Sequence, residues 1–196
     1  MIKRNQRVYA MVITAMLLGL GMLVPYLTGR MPEIGKFFSP IHIPILICAL
    51  TCGWKWAVGL GLALPLINSA LFHMPPFPTK AVPMVFELMA YGLTAGLCYA
   101  AFLRRKGAEN HWPYLVISLF IAMVLGRLVG GAAKGVLFTF ILPDQQSYTV
   151  SAFFAMLFAD YFVGTAVGAA IHLLLIPPIV MAVEKAKLSP LALQYR

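Results

Sequence analysis

Residues 39–99 read SPIHIPILICALTCGWKWAVGLGLALPLINSALFHMPPFPTKAVPMVFELMAYGLTAGLCY. Apolar residues dominate, prolines punctuate the run, and His42, Asn68 and Glu87 stand among the apolar side chains. A water-soluble domain rarely carries so much apolar sequence, and a passive anchor has no use for the three polar residues. An ionisable group in lipid is costly and faces a partner or a cavity. The stretch therefore predicts several membrane-spanning helices that recognise a small solute.

The rest of the chain has the same character. Of its 196 residues 61% are apolar and 11% charged, with a mean hydropathy of +0.87, whereas about a quarter of an ordinary globular domain is charged. The length accommodates roughly six spans of about 20 residues. Residues 1–196 are therefore read as one integral membrane domain, all-α, with short loops. The net charge of +9 sits mostly in short clusters beside the apolar runs. Such clusters read as topology signals and not as a nucleic-acid surface. Cys48, Cys52 and Cys98 lie in apolar runs and read as buried structural thiols; neither a metal nor a cofactor is expected. The apolar run after Lys3, Arg4 and Arg7 is long for a signal peptide and lacks a small-residue cleavage site, so it reads as a first transmembrane helix.

Six apolar segments follow one another: Val8 to Leu27, Ile43 to Cys52, Trp56 to Leu71, Val82 to Leu103, Trp112 to Leu142, and Val150 to Val183. Residues 41–72 can be read as one long helix or as two short ones turning at Gly53-Trp54-Lys55-Trp56. The positive-inside rule decides. With six spans and both termini cytoplasmic, Lys3, Arg4, Arg7, Lys55, Arg104, Arg105, Lys106, Lys185, Lys187 and Arg196 lie inside, and only Arg30, Lys36 and Lys80 lie outside. Five spans spoil that bias. The second segment, roughly 15–18 Å of helix, is too short to cross a bilayer core alone. Short helices at membrane depth are tolerated where protein or a cavity shields them.

This topology gives each intramembrane polar residue a depth. Glu87 lies about one and a half turns below the outer surface, and Arg127 about 22 Å up from Trp112. Lys134 follows two turns beyond Arg127 on the same face. Asp160 lies about 15 Å down segment six, counted from Val150. His42 and Asn68 belong to the outer ends of segments two and three. Five segments thus bring polar groups to one outer-half region, the expected substrate site.

Packing roles compete at every position. Arg127 can pair with Glu87 or Asp160, Lys134 can snorkel to the interface, His42 can cap a helix, and Asn68 can bond a neighbouring helix. His172 is expected deeper, toward the inner side, in a packing role. Small residues four apart, Ala10 with Thr14 and Ala15 with Gly19, give segment one two faces suited to close helix approach. Gly126 with Gly130, Gly131 with Gly135 and Gly164 with Gly168 repeat that spacing and read as internal packing. No nucleotide-binding loop and no hydrolase or protease signature is found, so the chain is not expected to be an enzyme.

The run from Pro40 to Tyr99, with LGRLVGGAAK at 125–134 and HLLLIPPIVMAVEKAK at 172–187, resembles the substrate-binding S component of energy-coupling factor (ECF) vitamin transporters. The resemblance spans nearly the whole chain and is carried by the H-I-P, M-P-P and F-E-L-x-x-Y-G elements. It implies six helices, capture of a vitamin or precursor near the outer face, and partnership with a membrane coupling subunit and two ATPases. Family members dock that subunit through an A-x-x-x-A motif in helix one; here Ala10-xxx-Thr14 or Ala15-xxx-Gly19 takes its place. Within the family the sequence is most similar to pantothenate-type members. That likeness implies Arg127 on the ligand carboxylate, Glu87, Asn68 and His42 on hydroxyls or amide, and Tyr91 closing the apolar side. A cationic or neutral heterocycle would use Glu87 or Asp160 instead. Two readings outside the family stay open: a stand-alone carrier or channel, and a membrane enzyme or assembly factor that uses Glu87 and Arg127 structurally.

Overall fold

The computed structural model describes residues 2–28, 40–106, 112–141, 154–155 and 166–194. Among them every regular element is helical: α1 (Ile2–Thr28), α2 (His42–Thr51), α3 (Trp54–Phe72), α4 (Ala81–Lys106), α5 (Trp112–Val136, continued by a π-helical turn Leu137–Ile141), α6 (Ala166–Lys185) and α7 (Pro190–Gln194). Five of these, α1 and α3 to α6, are long and apolar enough to cross a membrane. The chain is a multi-pass membrane protein.

The short helix α2 occupies the centre. Of its ten residues all but Ile43 are buried, and it packs against α1, α3, α4, α6 and α7. Protein therefore surrounds the helix that is too short to span alone, so its polar ends need not meet lipid. The chain turns out of α2 at Gly53, whose φ of 96° lies where a side chain would be strained. Residues 41–72 thus form two helices, and Lys55 holds its ammonium 5.5 Å above the Trp54 ring at the start of the second.

Helix α3 lies antiparallel against α4 because three glycines remove the side chains that would keep them apart. A Cβ on Gly61 would stand 2.8 Å from the Leu88 carbonyl carbon, one on Gly92 2.9 Å from the Ala57 carbonyl carbon, and one on Gly96 2.6 Å from the Trp54 nitrogen. Between helices in lipid, where burial of apolar area adds little, such backbone contact drives association. Pro83 sits in the first turn of α4, where its missing N–H costs nothing. On the far side of α3, Gly21 of α1 accommodates Leu64, and the buried Asn68 amide donates to the Gly21 carbonyl at 3.3 Å.

The opposite end of the bundle is tied by α6 and α7. Tyr99 donates to the buried Glu184 at 2.7 Å. The Ser189 hydroxyl donates to Thr51 O at 3.1 Å and accepts from Ala192 N at 3.3 Å, capping α7 while holding it on the end of α2. Pro190 follows at the first helical position, where its ring suits the helix start.

Lys55 is the second residue of α3, and Lys80 lies beyond its other end, past a helix of 19 residues or about 28 Å. In a variant lacking the three native cysteines, Lys55→Cys and Lys80→Cys are expected to react with a membrane-impermeant maleimide from opposite sides. Labelling of both from one side would exclude the six-span arrangement with cytoplasmic termini.

Candidate functional site

Four helices converge on one buried polar cluster. His42 is the first residue of α2, after the N-cap residue Ile41. Its Nε2 stands 3.5 Å from Glu87 Oε1. One turn along α4 the Tyr91 hydroxyl donates to the same oxygen at 2.9 Å. The His42 ring meets Tyr91 edge-on at 5.1 Å and His172 of α6 at 5.8 Å between ring centres. The Arg127 guanidinium of α5 lies beside the Tyr91 hydroxyl.

These five residues, closed off by Leu46 and Met123, line a void of about 10 Å³, room for about one water. Arg127 is 9% exposed and His172 2%. Ionisable groups buried at this depth demand compensation, and the geometry supplies it through one carboxylate, one guanidinium, two imidazoles and a phenol in mutual reach.

The backbone makes space for the cluster. A Cβ on Gly126 would collide with the Tyr91 ring, and one on Gly130 would stand 2.7 Å from Glu87 Cβ. The two glycines flank Arg127 on α5, so α4 lays Tyr91 and Glu87 directly against the backbone that presents the guanidinium. Gly168, one turn before His172, opens the α6 wall of the same void. Internal packing, expected of the Gly126/Gly130 pair, is what they do.

Of the residues expected at the site, the structure brings together His42, Glu87, Tyr91 and Arg127. Asn68 and Lys134 do not line the void: Asn68 instead ties α3 to α1. Asp160 lies outside the described residues. His172 corrects the expectation of a deeper packing role, since it stands inside the cluster. The expected depth follows from a count that starts at Val150. Counting back from the basic end of α6 at Lys185 places His172 about 20 Å up, level with Arg127, and that signal was present in the sequence. Tyr91 also does more than close an apolar side, since its hydroxyl holds the Glu87 carboxylate.

The two small-residue faces of α1 part company. Ala10 is buried, and the Thr14 hydroxyl donates to Ala10 O at 2.7 Å while lying 3.5 Å from Cys48 Sγ of α2. Ala15 and Gly19 are exposed, and a Cβ on Gly19 would meet nothing within 4 Å.

Comparison with curated proteins and with solved structures returns no match. The family model described as ECF transporter, substrate-specific component, matches residues 9–183. That match takes in every helix contributing to the cluster, and the chain belongs to the family of substrate-specific components of ECF transporters.

Proposed function

We propose that this chain captures a small carboxylate-bearing vitamin or precursor, pantothenate foremost, in the outer half of a prokaryotic cell membrane. It then delivers that ligand to a transmembrane coupling subunit and two ATPases for ATP-driven uptake. The observation that carries this reading is the charge balance of the buried cluster. Among the described residues its one carboxylate, Glu87, already accepts from Tyr91 and lies against His42, while Arg127 and two imidazoles line the same void. A donor-rich pocket of this kind suits an anionic group, which a guanidinium grips through two parallel bonds. Hydroxyls and an amide find acceptors and donors in Glu87 and His42. A ligand of vitamin size exceeds the void of about 10 Å³, so binding requires the helices around it to separate, and ligand and opened state stabilise each other.

Calorimetric titration of the purified protein with pantothenate is the direct test, accompanied by mass spectrometry of whatever small molecule co-purifies. Saturable binding with a rise in Tm is expected. Binding of another vitamin in its place would remove pantothenate, and binding of none would remove the capture reading. Co-purification of the native protein with a coupling subunit and ATPases separates an ECF assembly from a stand-alone carrier.

A further inference from the structure

Helix α2 separates two cavities. The smaller lies at His42; the larger, about 400 Å³, lies at the other end, beside Cys52. That volume falls within the range typical of small-molecule sites. Its walls come from three separate parts of the chain: Gln6 and Arg7 of α1, Trp56 of α3, and Pro190 and Gln194 of α7. The α7 wall is held in place by the Ser189–Thr51 bond and by the buried side chains of Leu191 and Ala192. One guanidinium and two carboxamides face this space, and among the described residues no carboxylate lines it.

We propose that this cavity is a second binding site, selective for an anionic phosphate group, such as the headgroup of an acidic phospholipid or a free phosphate ester. Arg7 carries the charge, and its planar fork matches two phosphate oxygens. Gln6 of α1 and Gln194 of α7 add neutral donors. Trp56 bounds the space at the start of α3, with Lys55 and Trp54 beside it in sequence. Aromatic residues of that kind mark the level of lipid headgroups. Among the described residues the charge on this lining is positive, from Arg7, with no opposing carboxylate, which favours an anion over a zwitterion.

The full-length protein in detergent is titrated with dioctanoyl-phosphatidylglycerol, dioctanoyl-phosphatidylcholine and glycerol phosphate while Tm is followed. The anionic lipid is expected to raise Tm saturably and the zwitterionic one not to. Arg7→Gln should weaken the apparent affinity roughly tenfold or more, Arg7→Lys less so, and Gln194→Ala modestly. Ligand binding at the outer cluster should be unchanged in all three. A response to glycerol phosphate alone identifies a free phosphate ester as sufficient, and a response that needs the acyl chains identifies the lipid. Equal shifts with both lipids, or wild-type affinity in Arg7→Gln, would overturn the proposal. So would capture of the coupling subunit that depends on Arg7 in a protein showing no anion binding, because the cavity would then be a protein socket.

Discussion

Arg127→Ala is expected to weaken ligand binding roughly ten- to a hundredfold, because losing a hydrogen bond to a charged group costs about 1.5–3 kcal/mol. The guanidinium is buried at the centre of the cluster and lies beside the Tyr91 hydroxyl that holds Glu87. A second role is therefore built in: Arg127 offsets the negative charge of Glu87 within the membrane. Removing it leaves that carboxylate with less compensation, and part of the penalty will register as lost stability. The two contributions separate experimentally. Calorimetry on Arg127→Ala that still unfolds cooperatively reports the ligand contact, and its Tm without ligand reports the structural one. Arg127→Lys retains the charge but not the planar fork, so it should restore most of the stability and only part of the affinity. Unchanged affinity in a folded Arg127→Ala protein would take Arg127 out of the site and leave it as a partner of Glu87.

His172 supplies the second arm of that experiment. It reaches the cluster from α6 and not from the α4–α5 pair, so its removal leaves the Glu87–Tyr91 bond and Arg127 in place. A loss of affinity without a comparable loss of stability in His172→Ala marks direct ligand contact from a third side of the cluster.

The parts of this molecule that were legible in the sequence are those governed by membrane energetics. A charged residue in an apolar run must find company, and this rule alone brings Glu87 and Arg127 into one region. The turn at Gly53 was legible because only two helices in residues 41–72 keep the basic residues mostly on one side. What escaped was azimuth, the direction in which each side chain leaves its helix. Depth alone placed Asn68 and Lys134 with the cluster, yet neither lines the void, and Asn68 turns to the Gly21 carbonyl on α1. An amide in the middle of an apolar helix satisfies the same energetic rule by bonding a neighbouring backbone as by meeting a ligand. His172 was misjudged for a different reason: its depth depends on where its helix begins, and an apolar run longer than one span does not mark that point. Helix α7 left little trace because five residues carry no periodicity; its only local sign is Ser189-Pro190, a cap followed by a residue suited to the first turn.

Ala15→Trp is expected to abolish ATP-dependent uptake while leaving ligand affinity intact. Spacing alone gave α1 two equivalent faces, and the fold distinguishes them. The Ala10/Thr14 face is occupied, with Ala10 buried and Thr14 touching Cys48 of α2. The Ala15/Gly19 face is open, and a Cβ on Gly19 would meet no atom of the chain within 4 Å. Close approach of a partner helix in lipid relies on such small residues, and an indole interposed there holds two backbones apart. The same substitution at Ala10 meets the protein's own core. Ala10 is buried and also borders the cavity beside Cys52; an indole there displaces α1 or fills that space, and overpacking costs roughly 1–3 kcal/mol, so Ala10→Trp should lower the Tm. Uptake in membrane vesicles, ligand titration and Tm measured on both variants separate the outcomes. A protein with Ala15→Trp that transports normally would remove the Ala15/Gly19 face as the docking surface. Transport lost in Ala10→Trp with Tm unchanged would move the docking surface to the Ala10/Thr14 face, which would require α1 to swing away from α2 when the coupling subunit binds.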